Sequence, residues 1–173
     1  MKAFNSGWYL IYTKPRHEKK VHTFLADRGI NSFLPMTRKL SMWHDRKKLI
    51  NVPLFPSYVF IYLGSIQYYY AALDVEGSLY YVKTGKEVAR VNDTVVNSIR
   101  LAIDSAREIE VSDMRFQPGR KLVISKGALT GLSCEVVRYN GNEKLLVRVD
   151  LLQRNILVTV PEDNVIAVDQ GKS

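Results

Sequence analysis

The chain has 173 residues, 46% of them hydrophobic and 24% charged, which fits one large or two small globular domains and excludes a disordered chain. Its single cysteine excludes an intramolecular disulfide and a Cys-based zinc finger, and a reducing cytoplasm is the expected compartment. Uncharged runs such as Val52 to Leu63 fall short of the ~20 residues of a membrane span, and the first residues lack the pattern of a signal peptide.

The net charge of +8 is unevenly spread. Residues 1–60 hold 11 Lys or Arg against three acids (Glu18, Asp27 and Asp45), whereas residues 61–173 hold 14 against 14. The whole excess sits in the first third, as a face built for a polyanion or an acidic protein surface would require. A solvated, merely solubilising face is the plainer alternative.

Trp8 to Thr13 (W-Y-L-I-Y-T) reads as a buried strand, ended by Lys14 and Pro15. Val21, Phe24, Leu25 and Arg28 then recur at helical spacing until Gly29. Ile30 to Leu34 is a second strand. Thr37 to Lys48 carries five basic residues and one acid, too polar for core, and is expected as a hairpin tip or exposed loop. Leu54 to Leu63 is the strongest β segment, with the strand proper starting after Pro56. A short helix follows from Ser65 to Glu76, capped by Ser65 and closed by Gly77. Leu79 to Lys83 is another strand. A last helix begins at Asn92 or Asp93, with Val96, Ile99, Ile103 and Ala106 on one face. This order predicts an α+β fold, an antiparallel sheet flanked by helices, over residues 1–108.

Residues 109–117 are polar and aperiodic and read as a linker, with Pro118-Gly119 after them. Residues 118–173 then show only short strands, at Lys121 to Ile124, Cys134 to Tyr139, Lys144 to Val149, Ile156 to Val160 and Val165 to Val168. Asn140-Gly141-Asn142 marks a hairpin turn. Five strands in so short a segment predict a small β-barrel.

No catalytic constellation emerges. His17, His22 and His44 lack i,i+4 spacing and have no cysteine nearby; Cys134 lies in a β segment without a neighbouring histidine; neither G-x-G-x-x-G nor a P-loop is present. An enzyme, a metal site and a cofactor are not expected. Trp8, Tyr9, Tyr12, Phe55, Tyr58, Phe60 and Tyr62, by contrast, crowd two strands close to the basic segments. Most must be core, but interleaved aromatics and cations also suit base stacking or a partner-helix groove.

Several motifs resemble one family. W-Y-L-I-Y-T-K-P-R-H-E-K-K-V (Trp8 to Val21), F-L-P (Phe33 to Pro35), W-x-D-R-K-K (Trp43 to Lys48) and P-L-F-P-S-Y-V-F-I (Pro53 to Ile61) resemble the N-terminal (NGN) domain of NusG-family transcription factors. Leu122 and Ile124 ahead of Gly127 and Gly131 look like a KOW domain, an SH3-like five-stranded barrel. Two positions depart from the family pattern. Cys134 stands where the KOW pattern has glycine, so a positive φ is not expected there. Ser57 replaces the glycine of P-G-Y, as in specialised members such as RfaH and the UpxY antiterminators of polysaccharide operons.

The resemblance implies binding to RNA polymerase by a monomer in the cytoplasm, associated with the nucleoid through the polymerase, with no membrane partner. The NGN domain would dock on the clamp coiled coil through an apolar pocket of Trp8, Tyr9, Tyr12 and Phe55, with Pro56 and Tyr58 as wall. Tyr69 and Tyr70 would face the opposite lobe. Lys14, Arg16 and His17, with Arg46, Lys47 and Lys48 in addition, would contact the non-template DNA strand. The KOW domain would recruit a ribosomal protein or another factor. Pausing would be suppressed and a long operon, of surface-polysaccharide type, read through. A general NusG-type elongation or termination factor and a ribosome-associated RNA-binding KOW protein are the alternatives.

Overall fold

The computed structural model describes residues 4–105 and 108–159, and the backbone of 167–169. The chain divides into two compact units, Met1–Val91 and Asn92–Ser173.

The first unit is built on β1 (Gly7–Thr13), followed by α1 (Glu18–Asp27) and β2 (Ser32–Phe33). A hairpin comes next, β3 (Met36–Trp43) and β4 (Arg46–Pro53), then β5 (Tyr58–Leu63) and α2 (Ile66–Leu73). The unit closes with β6 (Ser78–Tyr81) and the short β7 (Lys83–Thr84), β8 (Glu87–Val88) and β9 (Arg90–Val91). The main sheet runs β2-β5-β1-β6, with β9 also on β1. Its spine is the antiparallel β1/β5 pair, from Gly7 opposite Leu63 to Tyr12 opposite Tyr58. Because successive side chains point to opposite faces, β1 supplies two different surfaces. Tyr9 and Ile11 join Val59, Ile61, Leu63, Val21, Leu25, Ala72 and Tyr81 in one buried cluster with the helices. Trp8, Leu10 and Tyr12 share the other face with Tyr62, Phe60 and Tyr58.

The β3–β4 pair, expected as a hairpin tip or loop, is a full hairpin with eight paired positions, from Met36–Pro53 to Trp43–Arg46. It forms its own two-stranded sheet. Its base is tied down by the Leu54 N–H donating to the Pro35 carbonyl at 2.7 Å and by Lys19 Nζ donating to the Asn51 carbonyl at 3.4 Å.

The second unit holds α3 (Asp93–Ser105), β10 (Ile109–Ser112), β11 (Arg120–Ile124), β12 (Ser133–Tyr139), β13 (Asn142–Val149), a 3-10 turn at Asp150–Leu152, β14 (Arg154–Thr159) and β15 (Ala167–Asp169). These strands make a six-stranded antiparallel sheet in the order β10-β14-β13-β12-β11-β15. Two expectations change. Ile109–Ser112, expected as linker, is an edge strand whose backbone pairs with β14 from Asn155 to Val158. The last helix, expected in the first domain, groups with the second unit. Its buried Val96, Ser98, Ile99 and Ala102 explain this, with the Ser133 N–H donating to Ser98 Oγ at 3.3 Å. Ala106, Val160 and the residues of the expected last strand before Ala167 lie outside the described residues. Cys134 does not take a positive φ, whereas Gly127 and Gly131 do. Gly119 is obligatory for a different reason. A Cβ there would collide with the Val136 carbonyl oxygen.

Candidate functional site

The end of β1 is where aromatic and cationic residues meet. Tyr12 lies opposite Tyr58 on β5 and Tyr80 on β6. The Tyr12 and Tyr58 rings meet edge-on at 5.2 Å, and the Tyr12 and Tyr80 rings stack at 5.0 Å. The result is a row of three tyrosines across three strands, with Tyr12 and Tyr58 half-buried and Tyr80 54% exposed. Such cross-strand aromatic pairs hold one another in place.

The loop leaving β1 brings the cations beside this row. Lys14 and Arg16 are exposed and His17 is half-buried. The Lys14 N–H donates to the Gly77 carbonyl at 2.8 Å, and His17 Nδ1 lies 3.1 Å from the Pro15 carbonyl. Gly77 (φ +98) keeps this loop close, since a Cβ there would come within 3.0 Å of the His17 Cβ. Arg16 itself adopts φ +65, a conformation costing an L-residue roughly 1 kcal/mol. Lys20 is held by Glu76 at 2.7 Å, which pulls that carboxyl below its ordinary pKa.

The turn of Phe55 to Tyr58 fixes the third wall. Pro56 and then Ser57 at φ +68, with the Tyr58 N–H donating to the Phe55 carbonyl at 3.2 Å, give a type II turn pattern. Glycine is preferred at the Ser57 position for its freedom at positive φ. The Ser57 N–H donates to Oε1 of the buried Glu18 at 2.7 Å, so the first turn of α1 anchors this wall.

The sequence-predicted aromatic pocket is therefore divided. Tyr9 is on the helix side of the sheet, its hydroxyl bonded to the Asn5 carbonyl and its own ionisation pushed up by burial. Strand alternation puts it on the opposite face of β1 from Tyr12. Phe55 is only 3% exposed, its ring 6.3 Å from that of Phe60, so it packs beneath the surface. Trp8 is 8% exposed and packs edge-on against Tyr62 at 5.5 Å. Tyr12, Tyr58 and the exposed Pro56 are the predicted members that reach the surface. Tyr80 was missed, although the alternation of Leu79-Tyr80-Tyr81 in a strand would have put one tyrosine outside. On α2, Tyr69 stacks on Tyr81 at 4.4 Å and faces the core, while Tyr70 is exposed.

Arg46, Lys47 and Lys48 stand at the free end of the β3–β4 hairpin, all exposed. Arg46 and Lys48 share one face, and Lys47 is on the other. Arg46 pairs with Trp43 and Lys48 with Ser41, whereas Lys47 pairs with Met42 on the opposite side. Among the described residues no three His, Cys, Asp or Glu side chains gather as a metal site, and no helix is long and apolar enough to cross a membrane. Burial pushes the Cys134 thiol up to about 11, which makes it unreactive at neutral pH.

Residues 6–100 match the model of the NusG family, described as transcription termination factor nusG. Among solved structures, one of Thermotoga maritima NusG concerning its domain interaction is similar at 17% identity. It covers 89% of this chain and 93% of that one, with a TM-score of 0.48. The MjSpt4:Spt5 complex in its conformation B is similar at 13% identity over 96% of this chain and 99% of that one, with a TM-score of 0.36.

Proposed function

Since the chain belongs to the NusG family of transcription factors, we propose that it binds RNA polymerase and keeps transcription going through a long operon, without catalysis of its own. The observation that carries this reading is the part-exposed tyrosine row Tyr12–Tyr58–Tyr80, with Lys14, Arg16 and His17 in the loop that leaves β1. An amphipathic aromatic surface suits the apolar tip of a protein helix pair, here the clamp coiled coil of the polymerase. The adjoining cations suit an anion that runs past such a docked domain, the exposed non-template DNA strand. Tyr70 and Ile66 on α2, both exposed, are the surface offered to the opposite lobe.

Residues 118–173 are read as a KOW barrel that recruits a ribosomal protein or another factor. Gly127 and Gly131, both at positive φ, support that reading. The specialised, operon-specific role is supported by Ser57 at a strained turn position and by the cationic hairpin. The hairpin cations would contact bases as well as phosphates, and base contacts carry sequence selectivity.

Capture of RNA polymerase by folded variants tests the docking surface. Tyr58→Ala and Tyr12→Ala should each cost on the order of 2 kcal/mol of binding, and undiminished capture by both overturns it. Transcription in vitro through a long template with the operon's leader, and then with that leader scrambled, tests the specialised role. Read-through should depend on the leader. Equal read-through on both templates assigns the protein to the general elongation factors.

A further inference from the structure

The β3–β4 hairpin has two chemically different faces, which the sequence order of its residues conceals. Opposed residues of an antiparallel pair lie on the same side. One face carries Trp43 with Arg46, Ser41 with Lys48, and Lys39 with Ile50. The other carries Met42 with Lys47, Leu40 with Leu49, and Arg38 with Asn51. The Trp43 side chain is 59% exposed, and the Lys48 ammonium lies 6.0 Å from the centroid of its ring. Residues 36–53 hold five cations and one acid, Asp45 in the turn.

We propose that the Trp43 face of this hairpin is a binding site for single-stranded nucleic acid, with Trp43 stacking on an unpaired base and Arg46, Lys48 and Lys39 contacting the phosphates beside it. An exposed indole flanked by cations is the combination that unspecialised single-strand sites use. The cations extend along about 13 Å of strand from Trp43 to Lys39, the reach of a few nucleotides. Duplex is a poorer occupant, because its bases are already stacked and paired. A membrane surface is poorer still. Interfacial binding places aromatic and aliphatic side chains on one face and cations on the other, whereas here Leu40, Leu49 and Met42 are opposite Trp43. The inference rests on the nucleic-acid contact of the proposed function and deepens it, naming the hairpin face and the stacking residue that carry it beside the Lys14–His17 loop.

The test uses the full chain and a fluorescent-free oligothymidine of about a dozen nucleotides at low salt. The protein has two tryptophans, and Trp8 is buried, so quenching on titration reports Trp43. The parent should show quenching that Trp43→Leu abolishes, with affinity falling roughly tenfold and largely restored by Trp43→Tyr. Lys48→Ala and Lys47→Ala remove the same charge from neighbouring positions on opposite faces. Lys48→Ala should weaken binding several-fold and flatten its salt dependence, and Lys47→Ala much less.

Equal losses from these two variants, with Trp43 emission unchanged, overturn the inference. If Arg16→Ala still weakens binding in that case, the strand contact of the proposed function survives without the hairpin. An absence of any oligothymidine binding by the parent overturns both. If Trp43→Leu lowers capture of RNA polymerase and leaves oligothymidine binding intact, the face is a protein interface and the inference falls.

Discussion

The β3–β4 and β12–β13 hairpins are built alike and stabilised differently. Each pairs antiparallel strands of seven or eight residues across a two-residue turn, His44-Asp45 in one and Asn140-Gly141 in the other. The second is flanked by β11 and β14, and its Leu145, Leu146 and Val147 are buried. Its principal cation is satisfied internally, with Arg148 gripping Glu135 through Nε at 2.9 Å and through a second nitrogen at 3.1 Å. The first hairpin is its own two-stranded sheet, with Leu40, Met42, Trp43 and Leu49 exposed. An isolated pair of strands gains little stability in water. Burial accounts for the one hairpin, and the nucleic-acid contact proposed above would account for the exposed cations and Trp43 of the other.

The largest test of this contrast is truncation at Leu146, which belongs to the buried cluster with Val137 and Leu157. Leu146→Ala should destabilise the protein by about 3 kcal/mol through lost burial and the cavity left behind, read as a fall in the denaturant midpoint. A cost below about 0.5 kcal/mol would mean that β12–β13 depends on burial no more than a surface hairpin does.

The Glu135–Arg148 pair sharpens the contrast electrostatically. Burial pushes the Glu135 carboxyl up, but the bonds donated by Arg148 and by the Gly119 N–H at 3.0 Å outweigh it and hold the group below its ordinary value. The folded state therefore binds fewer protons than the unfolded chain between the two pKa values. This contribution is fully present above the unfolded value, near 4.5, and is lost as pH falls through the folded one. Glu135→Gln should cost about 2 kcal/mol at neutral pH and flatten the acid limb of a stability-against-pH curve. An acid limb of unchanged slope would show that the pair contributes nothing to pH-dependent stability.

What the sequence disclosed, and what it withheld, follows the same division. β1, α1, β5 and α2 were legible because their apolar residues repeat with the period of the element that buries them. Ile109–Ser112 was not, because an edge strand can be recruited by backbone pairing alone, as β14 does here, and needs little apolar pattern. Aromatic composition records no facing, so the sequence does not separate the buried Tyr9 and Phe55 from aromatics at the surface. Alternation along β1 separates Tyr9 from Tyr12, and only the Phe55–Tyr58 turn shows that Phe55 points inward. Arg46, Lys47 and Lys48 looked like one cluster for the same reason. Their division between faces depends on register, and a one-residue slip would exchange them. That register is set by the turn.

The smallest expected effect lies in that turn. His44 adopts φ +38, where an L-residue with a Cβ is strained. The other hairpin places Asn140 (φ +50) at the matching position, followed by Gly141 (φ +80), residues suited to positive φ. His44→Gly should relieve the strain while loosening the unfolded chain, so the net gain is below about 1 kcal/mol. Because β3 and β4 pair only with each other among the described residues, the gain should stay local. Amide exchange should slow by a few-fold across Met36–Pro53, with the thermal midpoint unmoved. A midpoint raised by several degrees, with slower exchange also in β1 and β5, would mean that the hairpin folds as part of the core. Its exposure would then no longer separate it from β12–β13 in stability.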